Sequence, residues 1–115
     1  MSAAEARGDR VVVSDASALG SWTATIDFDR SEVVVSGSAR AGTHAIRPDD
    51  LAAVRACAQA AFARGDRTVH DQFADGETTF ELHLGGATVH LRFLTDGGTW
   101  CEGVQPIWDF VRGGW

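Results

Sequence analysis

The feature that most constrains this chain is a run of period-two alternation between residues 69 and 93, punctuated by glycine turns. Val69, Asp71 and Phe73 alternate with His70 and Gln72. Phe80, Leu82 and Leu84 alternate with Thr79, Glu81 and His83, and Val89, Leu91 and Phe93 with Thr88, His90 and Arg92. Successive strand side chains point to opposite faces, so such segments form a sheet with one apolar side and one wet side. Asp75-Gly76 and Gly85-Gly86 are tight hairpin signals, and the reading is a three-stranded meander.

Turn geometry then sets a register. A two-residue turn at Gly85-Gly86 pairs Leu84 with Ala87, and therefore Glu81 with His90 and Thr79 with Arg92. A matching turn at Asp75-Gly76 pairs Ala74 with Glu77, placing His70 opposite Glu81 and Gln72 opposite Thr79. His70, Glu81 and His90 thus form one row on the wet face, with His83 diagonal to His90. Two imidazoles flanking a carboxylate are suitable ligands for a divalent metal, and also suit acid–base chemistry. The competing expectation is a solvated strand face where His and Glu sit for little energy. No nucleophile, phosphate loop or oxyanion signature accompanies the cluster, so the chain reads as a non-enzyme. Asp71 fits poorly, because this register sets a carboxylate on the apolar side beside Phe80.

Upstream, Val11–Asp15 reads as a strand. Trp22, Ala24, Ile26 and Phe28 alternate with Thr23, Thr25 and Asp27 as a second, and Glu32–Ser36 forms a third after an Asp29-Arg30 turn. Gly37 to Gly42 is small and polar, a loop. Pro48 to Arg64 is the clearest helix. Pro48 suits the first turn, Asp49 and Asp50 complement the dipole, and Gly65 closes the end. Leu51, Val54, Ala58, Ala61 and Phe62 share one stripe, with Cys57 at its edge. A short helix over Pro106–Arg112 follows a glycine-rich loop from Gly97 to Gln105. The order is βββ–α–βββ–α, an α+β domain over residues 11–115 with antiparallel sheet and helices on one face. Residues 1–10 read as a disordered tail.

The 115 residues carry a formal net charge of −6. Lys, Asn and Tyr are absent, and Arg supplies every basic side chain, the bias of a high-GC bacterial or phage genome. Only residues 38–67 are net positive, with Arg40, Arg47, Arg55, Arg64 and Arg67 against Asp49, Asp50 and Asp66. The acidic balance opposes nucleic-acid binding, which needs a basic surface, and favours a basic protein partner. No apolar run approaches the roughly 18 residues of a membrane helix. The N-terminus lacks a secretory h-region, so the expected compartment is the cytoplasm. Cys57 and Cys101 read as reduced, packed thiols, too few for a disulfide framework.

Trp100, Trp108 and Trp115 fall within the last sixteen residues, and Trp is enriched at binding hot spots. Trp108 leaves the Ile107, Phe110, Val111 stripe of its helix, so these rings are the expected partner-binding anchors.

The second half resembles the emfourin-like small protein inhibitors of thermolysin-type metalloproteases. The likeness rests on the Pro48-Asp49-Asp50-Leu51 helix start and on Phe80-Glu81-Leu82-His83-Leu84 with its Gly-Gly turn and Val89-His90-Leu91. The closing Gln105-Pro106-Ile107-Trp108-Asp109-Phe110 completes it. Leu19-Gly20-Ser21 stands where that family's N-terminal Gly-Gly is expected, residues 31–46 are extra, and no inhibitory residue is carried over. The resemblance implies an inhibitor. The residues themselves point to a protein-binding module acting as inhibitor, immunity factor or antagonist, or else to a metal- or ligand-binding domain built on His70, Glu81, His83 and His90. No cofactor beyond that divalent metal is expected.

Overall fold

The computed structural model describes residues 8–17, 20–37, 41–70, 76–94 and 103–112. It is an α+β fold: one seven-stranded sheet with two helices. The strands are β1 (Arg10–Ser17), β2 (Gly20–Asp27), β3 (Glu32–Ser36), β4 (Gly42–Ala45), β5 (Arg67–His70), β6 (Glu77–Leu84) and β7 (Ala87–Leu94). The helices are α1 (Pro48–Arg64) and α2 (Gln105–Val111). Their order across the sheet is β4-β3-β2-β1-β6-β7-β5.

Alternation does what it predicts. Val11, Val13, Ala24, Ile26, Phe28, Val33, Val35, Phe80, Leu82, Val89, Leu91 and Phe93 are all buried on one face. The helices cover that face with Val54, Ala58 and Ala61 from α1 and Ile107, Phe110 and Val111 from α2. Leu51 and Phe62 pack at its margin. Phe80 is central, meeting Phe93 edge-on at 5.6 Å and the Trp108 ring at 6.5 Å between centroids.

Three local expectations hold in detail. The β6–β7 register is Leu84↔Ala87, Glu81↔His90 and Thr79↔Arg92. Gly85 and Gly86 both take positive φ, as a tight hairpin turn requires. The first helix runs from Pro48 to Arg64, and the Gly65 amide closes it on the Phe62 carbonyl at φ 82°. The turn between β2 and β3 is locked by Asp27, whose Oδ1 accepts the amides of Asp29 and Arg30.

The structure corrects four expectations. The Gly42–Ala45 segment, four residues with no alternating apolar signal, adds an edge strand to β3, so the order is ββββ–α–βββ–α. Asp9 and Arg10 belong to the fold, not to a tail. Asp9 accepts the Gly85 amide at 2.9 Å and the Arg55 guanidinium at 2.8 Å, tying the start of β1 to the far hairpin and to α1. Arg55 also lies 5.1 Å over the Phe28 ring. The second helix starts at Gln105, one residue before Pro106.

The fourth correction matters most. β5 does not pair with β6; β1 occupies that edge, antiparallel, with Val11↔Leu82, Val12↔Glu81 and Val13↔Phe80. β5 pairs instead with the outer edge of β7, in parallel, with Arg67↔Leu91 and Val69↔Phe93. The eight-residue β1 forms a longer ladder on β6 than a four-residue β5 could and buries Val11 and Val13 there, so it takes the central place. The connection from β4 to β5 therefore crosses the whole sheet, from one edge to the other. Six strand spacings of ~4.8 Å come to about 29 Å, and the 17 residues of α1 rise about 25 Å. Asp71 lies outside the described residues.

Phe80 is the natural test of this core. Phe80→Ala is expected to cost about 3–5 kcal/mol by denaturant unfolding. Val34→Thr, on the open face at 44% exposure, is expected to change stability by no more than about 0.5 kcal/mol.

Candidate functional site

The open face of the sheet holds the expected His/Glu cluster, but not as one row. Cross-strand pairing there runs Val34–Thr25–Val12–Glu81–His90. Val12 stands where His70 was expected beside Glu81. His70 pairs with Leu94, four residues along β7 from His90 and so about 13 Å away. At the Asp66 end of β5, the His90 amide donates to Asp66 Oδ1 at 2.9 Å. The three-ligand row is therefore dissolved by the placement of β5.

Glu81 and His83 do meet. His83 Nε2 lies 3.4 Å from Glu81 Oε1, and Thr88 Oγ1 lies 3.0 Å from His83 Nδ1. Both imidazole nitrogens thus have a neighbouring partner. Partial burial pushes the His83 pKa down, Arg10 adds to that, and Glu81 opposes it. Among the described residues no group of three or more His, Cys, Asp and Glu side chains is placed to hold a metal ion. Next to the cluster, Arg92 pairs with Glu77, an exposed ion pair that holds the Glu77 carboxyl below its ordinary pKa. Ion pairs this exposed contribute little to stability.

The aromatic anchors resolve differently. Trp100 and Trp115 lie outside the described residues. Trp108 is half-buried, stacked on Trp22 at 5.7 Å between centroids with 28° between planes, and set against Phe80. Its helical-wheel position off the α2 stripe turns it toward the sheet rim, not free into solvent. Arg112 lies 5.6 Å over its ring. Thr78 and Asp15 sit on the same side of the sheet, where Thr78 Oγ1 donates to Asp15 Oδ1 at 2.6 Å.

Two concave features were not visible as such in the sequence. The first is a groove of ≈ 220 Å³ between the helices, lined by Ala53, Val54, Pro106 and Phe110 with Asp50 and Asp109. Asp50 pairs with the exposed Arg47 at 3.2 Å, and Asp109 Oδ1 accepts a neutral amide proton from Gln105 at 2.8 Å. In the sequence Asp50 is legible as a helix-dipole residue, and Asp109 becomes a groove residue only where α2 meets α1. The second is a smaller cleft at the opposite end of α1, by β5 and β7. Cys57 lies between the helices, its Sγ donating to the Gly103 carbonyl at 3.2 Å; burial pushes this thiol's pKa up.

No protein-family model matches this sequence, and comparison with curated proteins returns no significant match. The α+β fold and its concave surfaces therefore carry the functional reading.

Two outcomes test the open face. The melting temperature is expected to stay unchanged when the purified protein is treated with EDTA, since the row of His70, Glu81 and His90 does not exist; a fall of several degrees would restore a metal site. The lowered His83 pKa also has a pH signature. Above the ordinary histidine pKa of about 6.5 its contribution is fully present, and it is lost as pH falls toward the lower folded-state value, where the unfolded chain binds the proton more readily. Unfolding free energy measured from about pH 7.5 down to about pH 5 should therefore fall less steeply in His83→Gln than in the parent.

Proposed function

We propose that this protein is a small acidic binding module that engages a basic protein, acting as an inhibitor, immunity factor or antagonist. The observation that carries the reading is the groove between α1 and α2, apolar along its floor and carboxylate-bearing at Asp50 and Asp109. A lysine or arginine side chain is complementary to such a groove: its aliphatic stem lies on Val54, Pro106 and Phe110 while its head group meets the carboxylates. The net charge of −6 supports the same partner, because it speeds encounter with a basic surface. Trp108, braced by Trp22 and capped by Arg112, adds on the same short helix a rigid aromatic edge of the residue types that dominate interface energetics.

The resemblance to emfourin-like proteins makes a thermolysin-type metalloprotease the first target to assay. Action in the cytoplasm is part of the same proposal. Among the described residues no helix is long and apolar enough to cross a membrane.

A photo-crosslinking amino acid at the exposed Ala53 position tests the groove directly. Adducts with a basic protein are expected at low salt, and Asp50→Asn with Asp109→Asn should weaken capture about tenfold, roughly 1.4 kcal/mol. Adducts indifferent to both substitutions and to salt would remove the groove as the contact surface. Unchanged hydrolysis by a thermolysin-type protease in the presence of excess protein would remove that target while leaving the groove reading open to the crosslinking result.

A further inference from the structure

The single net-positive stretch of the chain, residues 38–67, ends at a cleft of ≈ 140 Å³ between the C-terminal end of α1, strands β5 and β7, and the Gly103-Val104 segment before α2. Its floor is apolar: Ala61, Leu91, Phe93 and Val104, all buried. Its rim carries Arg64, Arg67 and Asp66. Arg64 reaches across to Gly103, where its Nη1 lies 2.8 Å from the point a Cβ would occupy. Gly103 takes φ +87°, so the backbone there is suited to glycine and leaves room for the guanidinium. Arg67 shares the register of Leu91, which points it to the helix-covered face, and its guanidinium stands 6.0 Å over the Phe93 ring. Asp66 gives one carboxylate oxygen to the His90 amide.

We propose that this cleft binds a small amphiphilic carboxylate, a monoanion carrying a ring or a short branched chain. A guanidinium offers two parallel N–H donors that match a carboxylate, and here two guanidiniums border one apolar floor. An apolar cavity of ~150 Å³ accommodates benzene, so the floor fits one ring or its aliphatic equivalent and little more. The partial negative charge at the α1 C-terminus and the Asp66 carboxylate work against an anion. Arg64 and Arg67 together outweigh them. This site is independent of the acidic groove, which lies at the other end of α1, and it uses none of the open-face histidines.

Titrating ¹⁵N-labelled protein with benzoate, benzamide and acetate separates the contributions. Benzoate is expected to shift the amides of Gly65, Arg67, Gly103 and Val104 with a dissociation constant in the millimolar range, about 4 kcal/mol at 1 mM. Benzamide, which keeps the ring and loses the charge, and acetate, which keeps the charge and loses the ring, should each bind at least fivefold more weakly. Arg64→Gln and Arg67→Gln, both at exposed positions and both checked for an unchanged melting temperature, should each weaken benzoate at least fivefold. Equal shifts from benzamide or acetate, shifts indifferent to both arginine substitutions, or no shift at ~20 mM benzoate would overturn the proposal.

Discussion

The pairing of β1 with β6 is the constraint on which the rest of the molecule depends. β1 is the strand that joins the two halves of the sheet, hydrogen-bonded to β2 on one side and β6 on the other. Val11 and Val13 are fully buried between them. Because β1 fills the edge of β6, β5 must find another, and the outer edge of β7 is where its parallel pairing becomes possible. That placement sets β5 at the edge of the sheet opposite to β4, the strand before it, and α1 makes the long connection by lying across the sheet. The two concavities at the ends of α1 follow from that path. One opens where α1 begins beside α2, the other where α1 ends beside β5.

How much of this is legible in the residues depends on the range of the interaction. The extent of α1 is written locally in Pro48, Asp49, Asp50 and Gly65, and the β6–β7 register in Gly85-Gly86. Both were read correctly because short-range chemistry decides them. The neighbour of β6 is a competition between a nearby short segment and a distant long one, and the Asp75-Gly76 signal names only the nearby contender. Asp71 is the residue that objects: pairing with β6 would set its carboxylate on the apolar face beside Phe80, which is costly, and β5 in fact pairs with β7. A misfit of that kind marks the place where local reading gives way to tertiary packing.

The fate of the candidate site follows the same line. Glu81, His83 and His90 are near one another because the hairpin that carries them is local. His70 stands apart from the group because β5 pairs with the outer edge of β7 and not with β6. The acidic groove and the arginine cleft escaped notice for the converse reason. Each is assembled from a helix and from segments roughly thirty to sixty residues away, and no spacing rule links Asp50 to Asp109 or Arg64 to Gly103. Trp108 stands between these cases. Its helical position was read correctly as lying off the α2 stripe, but the Trp22 ring that receives it comes from a strand near the other end of the chain.

The long reach of the β1–β6 contact has a further consequence, for the order in which the chain can assemble. Val13 meets Phe80 across more than half the sequence, so the central seam cannot close until most of the polypeptide has emerged from the ribosome. Until then β1, β2 and β3 form a hairpin array whose β1 edge and valine-rich surface lack their cover. Folds dominated by such distant pairings collapse slowly, and their unsatisfied edges invite association with other chains in the interval. The Asp9 carboxylate, which bonds both the Gly85 turn and Arg55 of α1, is then a latch that can engage only once β1, the β6–β7 hairpin and the crossing helix have come together.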